Sequence, residues 1–269
     1  MGGRLTNEVA IVTGGGRGFG RAIAERFAAE GAAVVIVART KGQIDAVAAR
    51  IKAGGGRALA VVADVTQPAQ VQGVVAAAKA KFGPVDLMVN NAGQAGPFGP
   101  LGVVDPEKWW QAQAVHVRAP LMFMSAVLPE MRARRHGRII NVASLGGRQV
   151  TTGLSAYGVG HAALIRLTEH VAQESAVHGV AAFAIEPGSA NTDMTIATVA
   201  DPDARRWSPD LVGFLKVLQS EHADPEPRLA RCADMCLRLA SGRYDGLTGS
   251  YLEPDDDFDA LLEAKNDQR

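Results

Sequence analysis

Apolar residues along this chain fall into short, nearly continuous runs of Val, Ile and Ala, separated by longer stretches in which they recur every three or four positions. The runs at 9–13, 34–37, 59–62, 85–89, 138–142 and 180–185 show no polar alternation, so they predict strands buried on both faces. Between them the period becomes helical. Ile23 and Phe27 stand four apart within 18–30, Pro68 suits the first turn of a helix, and Asp105-Pro106-Glu107 reads as cap, first-turn proline and early acid. Strand and helix in repetition predict an α/β fold with a doubly wound parallel sheet. Gly54-Gly55-Gly56 is a turn inside that pattern, because the next strand follows almost at once.

Composition narrows the class without changing this picture. The chain has 269 residues, 47% hydrophobic and 5% aromatic, with a formal net charge of zero. That balance suits a soluble globular protein and argues against disorder or a nucleic-acid partner. At about 150 residues per domain the length allows one or two domains. No Pro/Ser-rich linker divides the chain, so a single domain over 1–269 is expected. Cys232 and Cys236 lie one helical turn apart, a spacing that makes neither a disulfide framework nor a metal site without further ligands, and both are expected to be reduced. No apolar run approaches the ~20 residues that span a bilayer, and residues 1–7 lack the apolar core of a signal peptide. The expectation is a cytoplasmic protein with no membrane partner.

Two motifs carry chemistry. Thr13-Gly14-Gly15-Gly16-Arg17-Gly18-Phe19-Gly20 lies between the first strand and the first helix, where glycines allow close backbone approach and helix N–H groups face an anion such as a pyrophosphate. At the end of the second strand, where dinucleotide-binding folds usually place a carboxylate against a ribose 2′-hydroxyl, the chain has Ala38 and then Arg39. A guanidinium there attracts a 2′-phosphate, so Arg39 favours NADP(H). Further on, Ser144 of Asn141-Val-Ala-Ser144 is followed thirteen residues later by Tyr157 of Tyr157-Gly-Val-Gly-His161.

With this glycine loop, serine and tyrosine, nearly the whole chain resembles the short-chain dehydrogenase/reductase family. The resemblance implies a single-domain Rossmann-type fold and a tyrosine that exchanges a proton with a substrate oxygen. It implies nucleotide contacts at Gly14, Arg17, Gly18, Phe19 and Gly20, at Arg39, at Asp64 and Val65, at Asn90, Ala92 and Gly93, and at Pro187, Gly188 and Thr192. It also implies a homodimer or homotetramer built on helices at 110–131 and 156–176, and a substrate lid at 189–227. The catalytic set implied is Ser144 and Tyr157 with two altered positions. His161 stands where the family has a lysine that binds the nicotinamide ribose and lowers the tyrosine's pKa, and His116 stands where an asparagine supports a water-linked proton path.

The loss of the lysine decides the expected direction of chemistry. A full charge ~4 Å from Tyr157 at an effective dielectric near 20 would contribute roughly 4 kcal/mol, or about three pKa units. An unperturbed histidine is only about one-tenth protonated near pH 7.5. Tyr157 then stays protonated, which suits an acid that donates to a carbonyl oxygen, unless a carboxylate keeps His161 charged. The expected activity is NADPH-dependent reduction of a small-molecule ketone, and Met194, Trp207, Phe214 and Leu215 in the lid segment suggest that it is apolar, cyclic or polyketide-like. The alternative is non-redox chemistry, dehydration, isomerisation or cyclisation, with Tyr157 and the histidines moving protons. No metal is expected, since His116 and His161 have no third ligand evident in the sequence. The acidic stretch from Glu253 to Phe258 reads either as a solvated tail or as an oligomer contact.

Overall fold

The computed structural model describes residues 3–267. Seven strands form one sheet: β1 Val9–Thr13, β2 Ala33–Ala38, β3 Arg57–Val62, β4 Leu87–Asn90, β5 Gly137–Val142, β6 Val180–Ile185 and β7 Tyr251–Leu252. Their order is β3-β2-β1-β4-β5-β6-β7, and every neighbouring pair is parallel. The connecting helices are α1 Gly18–Ala29, α2 Lys41–Ala53, α3 Pro68–Phe82, α4 Pro106–Gln113, α5 Ala119–Arg134, α6 Ser155–Ser175, α7 Asp193–Ala200, α8 Pro202–Trp207, α9 Pro209–Glu221, α10 Glu226–Ala240 and α11 Phe258–Asn266.

The unbroken apolar runs have a direct cause. Ala10, Val12, Val34 and Ile36 point into a layer with Ile23, Phe27, Ile44, Val47 and the α10 residues, while Ile11, Val35 and Val37 point into the opposite layer with Val71, Val74, Phe123 and Met124. Each central strand is therefore covered by helices on both faces, and neither face can be polar. β3 departs from the expectation. It is the edge strand, Val62 is half-exposed, and the strand is only partly covered. Cys232 and Cys236 are free thiols in the α10 core.

The C-terminal stretch is corrected by the structure. Leu252 pairs with β6 as an added strand, Glu253 and Asp256 close a turn, and Asp257 caps α11 through the amides of Asp259 and Ala260. Phe258 is fully buried. The acids thus terminate and start elements, a local hydrogen-bonding role that composition alone does not separate from a solvated tail.

The chain reverses direction across the sheet between β1 and β4, and the loops after these strands diverge there to open a cleft. Thr13 stitches this point: its hydroxyl accepts the amides of Asn91 and Ala92 at 3.0 and 3.1 Å, while the Asn91 side chain donates to the Thr13 carbonyl at 2.9 Å.

Candidate active site

A cleft of about 920 Å³ runs along the carboxyl ends of the strands. One half is walled by the glycine loop with Arg17, Gly18 and Phe19, by Ala38 and Arg39, by Asp64 and Val65, and by Ala92 and Gly93. Gly14 and Gly18 have φ of +65° and +52°, which only glycine adopts without strain, and a Cβ on Gly14 would lie 2.8 Å from the Asn91 amide nitrogen. Arg17, the N-cap of α1, gives no side-chain cap, so the first amides of that helix remain available to a ligand.

The two arginines do not converge. Arg39 is exposed and makes no hydrogen bond or ion pair among the described residues, although its charge reaches Asp64 and helps lower that carboxyl's pKa, after the larger effect of the Thr66 hydrogen bonds. Arg17 pairs with Asp193 at 2.8 Å, reaching toward α7. A phosphate beside Arg17 would have to compete with that carboxylate.

Gly20 and Asn90 lie behind the cleft wall instead of on it. Gly20 is buried against the carbonyl of Gly14 and the side chain of Asn91, where any Cβ would collide. Asn90 donates to Asn141 at 2.8 Å within the sheet, and Asn141 in turn donates to Thr168 of α6 at 2.8 Å. Asn91, one residue on, is the asparagine that faces the cleft. Strand alternation is the physical reason: adjacent side chains point opposite ways, and the motif does not say which asparagine turns outward.

At the middle of the cleft, α6 presents Tyr157 and His161 on one face, four residues apart. Ser144 caps a short turn, Leu145–Gly147, by accepting the Gly146 amide at 3.2 Å, and its hydroxyl faces Tyr157 closely enough to draw that phenol's pKa downward. His116 does not line the cleft. It sits in a π-helical turn, Ala114–Arg118, between α4 and α5, and its Nε2 lies 3.0 Å from the Gln94 carbonyl. Since a carbonyl only accepts, the hydrogen is on Nε2. The extra residue in the π turn re-aims the ring toward α6. Gly160 permits the approach, because a Cβ there would lie 2.8 Å from the His116 Cβ. Trp109 and Gln113 fasten the same elements by donating to the Ser155 hydroxyl and the Ala156 carbonyl at 3.1 and 2.8 Å.

Three rings therefore touch: His116 and His161 with centres 4.6 Å apart, Tyr157 and His161 4.2 Å, and His116 and Tyr157 5.4 Å. Burial pushes the His161 pKa down to about 3, with His116 adding to the effect, and pushes His116 down to about 4 despite its bond to Gln94. Among the described residues no carboxylate pairs with either ring; the histidine that has such partners, His136, is beside Glu8 and Asp86. The possibility that a neighbouring acid keeps His161 charged is thereby removed. Tyr157 is raised above its ordinary value, mainly by burial, then opposed by Ser144 and increased by the negative charge of Glu186. Glu186 was not among the sequence candidates. Its signal was present: a single acid directly after a fully apolar strand, just before Pro187-Gly188.

The remaining half of the cleft is uncharged. Gln94, Phe98, Gln111, Leu154 and residues of the 189–227 segment, Met194, Leu211, Phe214 and Leu215, line it, and Pro187, Gly188 and Thr192 join the two halves. Thr192 also caps α7. Trp207 does not reach the cleft; it packs under the Arg206 guanidinium at 4.4 Å. The three-ligand cluster Glu8, Asp86 and His136 is elsewhere, near the amino ends of the strands, and Arg134 already pairs with its Asp86 at 2.6 Å. No helix among the described residues is long and apolar enough to cross a membrane.

The short chain dehydrogenase family model matches residues 8–203. A short chain dehydrogenase of Pseudocercospora fijiensis (strain CIRAD86) is 35% identical over 265 residues, covering 97% of this chain and 84% of its own. Among solved structures, a short-chain dehydrogenase/reductase from Burkholderia xenovorans superposes with a TM-score of 0.82 at 32% identity, over 96% of this chain and 98% of its own. A metagenomic short-chain oxidoreductase in complex with NADP superposes with a TM-score of 0.74 at 28% identity, over 94% of this chain and all of that one (100%).

Proposed function

Because the chain belongs to the short-chain dehydrogenase family of oxidoreductases, we propose that it is an NADPH-dependent carbonyl reductase acting on an uncharged, largely apolar ketone, cyclic or polyketide-like in shape. The observation that carries this reading is the Ser144–Tyr157 pair, held where the glycine-lined half of the cleft meets the apolar half. The glycine cradle, the uncapped start of α1 and the exposed Arg39 suit a dinucleotide with a 2′-phosphate, and a related structure holds NADP. Bound NADPH supplies the hydride.

In this scheme Tyr157 gives its phenolic proton to the substrate oxygen, while the Ser144 hydroxyl donates a second hydrogen bond that orients the carbonyl. Burial and the absence of a neighbouring cation keep the phenol protonated at neutral pH, so the group is poised as an acid. The phenolate left after transfer is uncomfortable in the same surroundings and recovers its proton from cleft water. Residues of α7 and α9 close over the substrate and exclude solvent. We further assign a homodimer or homotetramer to α5 and α6, whose Leu121 and Val159 are exposed apolar residues.

The test follows nicotinamide absorbance while apolar ketones are supplied, with product mass measured in parallel. Reduction consumes NADPH and adds two hydrogens; Tyr157→Phe abolishes turnover and leaves nucleotide affinity largely unchanged. Contact of both histidines with Tyr157 favours the second reading, non-redox proton transfer. Product formed at unchanged mass, or with loss of water, and without NADPH consumption would select it.

A further inference from the structure

Strand β6 is buried along its whole length and is followed at once by Glu186, which lines the cleft. One carboxylate oxygen accepts the amide of Leu145 and, at 3.2 Å, the hydroxyl of Tyr251. Two donors, from the serine turn and from β7, thus meet on one side chain, and the nearby Gly188 amide further favours its charged form. Arg148 lies over the Tyr251 ring at 5.1 Å and closes the outer side.

The turn held this way has no slack toward α6. A Cβ on Gly146 would lie 3.3 Å from the Tyr157 ring and 3.6 Å from the Ser144 hydroxyl, one on Gly147 would lie 2.8 Å from the Ala162 nitrogen, and one on Gly158 would lie 3.0 Å from the Gly146 carbonyl. Backbone therefore rests directly on backbone and ring, and Glu186 restrains the turn from the opposite side.

We propose that Glu186 is a positioning residue that sets Ser144 against Tyr157 by clamping the Leu145 amide between β6 and β7. The inference rests on Ser144 and Tyr157 acting as a pair. The clamp works through the ionised carboxylate, since its partners are donors and a protonated carboxyl gives up an acceptor site to gain a donor with nothing facing it. The charged and titratable groups facing it are Tyr157, Tyr251, Glu253 and Arg148. Burial and then Glu253 push the Glu186 carboxyl above its ordinary value against the pull of Leu145, Tyr251 and Gly188, so the clamp loosens as pH falls while exposed carboxylates are still ionised.

Three variants test it: Glu186→Gln, whose amide oxygen still accepts Leu145 and Tyr251 but cannot ionise; Glu186→Ala; and Tyr251→Phe. Hydrogen exchange of residues 143–149 is read first, independently of activity. Loss of charge-assisted bonds predicts exchange at least about tenfold faster in Glu186→Ala, an intermediate acceleration in Glu186→Gln that the wild type reaches only at low pH, and a smaller acceleration in Tyr251→Phe. Corrected for the intrinsic rate, wild-type exchange speeds up as pH falls, and Glu186→Gln is flat.

In turnover, Glu186→Ala lowers kcat about tenfold or more with NADPH affinity unchanged, and Ser144→Ala added to it costs far less than in the wild type, because coupled residues are not additive. Glu186→Gln has a kcat between those of the wild type and Glu186→Ala and loses the acid limb of the profile. Wild-type exchange in Glu186→Ala, or a full Ser144→Ala effect on top of it, overturns the clamp. If Glu186→Ala does not fold, a pH-dependent exchange in Glu186→Gln equal to the wild type overturns it instead. Absence of reductase turnover in every protein would count against the proposed function, while exchange would still decide the clamp.

Discussion

Replacing His161 with lysine tests whether the missing cation controls the direction of catalysis. The His161 ring centre is 4.2 Å from that of Tyr157, and its imidazole, pushed down to about 3, carries no charge at neutral pH. Taking that separation and an effective dielectric of about 20, a lysine ammonium would stabilise the phenolate by about 4 kcal/mol, equivalent to about three pKa units. This is an upper limit, since burial also disfavours the ammonium and the longer side chain places its charge differently. His161→Lys is expected to lower the pKa of Tyr157 and to raise kcat/KM for alcohol oxidation near neutral pH relative to ketone reduction. His161→Ala adds no charge and is expected to leave the Tyr157 ionisation high, while weakening nucleotide binding if the ring contacts the ribose. The assay is kcat/KM against pH in both directions for the three proteins, corrected for the proton consumed in the overall equilibrium. Superimposable profiles for wild type and His161→Lys would refute the reasoning and place control of the proton elsewhere, with His116 the next residue to change.

The buried histidines also predict acid sensitivity: folded values of about 4 and about 3 lie below the unfolded 6.5, so their stability contribution is full above pH 6.5 and is lost as pH falls toward 4 and 3. At pH 5 that is about 2 kcal/mol for each ring and about 4 kcal/mol for both, so unfolding free energy measured in urea between pH 7 and 5 should fall less steeply in His116→Asn and His161→Leu; identical slopes would show that the rings are not buried neutral. For the nucleotide, fluorescence titration should find NADPH bound more tightly than NADH, with Arg39→Ala weakening NADPH alone by about tenfold or more, as loss of a charge-assisted contact implies. Equal losses for the two nucleotides would remove Arg39 from the 2′-phosphate.

What the sequence disclosed and what it hid follow from the range of the interactions involved. Five of the six longer strands were readable because burial on both faces leaves few polar positions, a property that each run carries within itself. β3 was located but its exposure was not, since being at the edge depends on which strands neighbour it in space. β7 is two residues long, too short for any periodicity, and exists because Tyr251 and Leu252 pair with β6 across some 65 positions of sequence. Ser144, Tyr157 and His161 were singled out by local spacing, and the structure brings them to one cleft. Arg17 was assigned to phosphate on the same basis, whereas its partner Asp193 lies 176 residues away and is invisible to a local motif.

The ring cluster of Tyr157, His116 and His161 shows why distant contacts set the charge of a side chain. Read along the chain, His161 remained open between charged and neutral, because its ordinary pKa lies close to physiological pH. Packing resolves it: the π turn brings His116 against it, Gly160 lets the helices approach, and among the described residues no carboxylate pairs with the ring. The one carboxylate that acts on Tyr157, that of Glu186, raises the phenol's pKa where the lysine of the resembled family would lower it. A site that replaces its cation with two neutral rings and adds an anion nearby has lost the means of stabilising a phenolate at both positions. The same surroundings hold the phenolic proton in place until a developing alkoxide offers it a stronger base, which is the condition for a proton donor in carbonyl reduction.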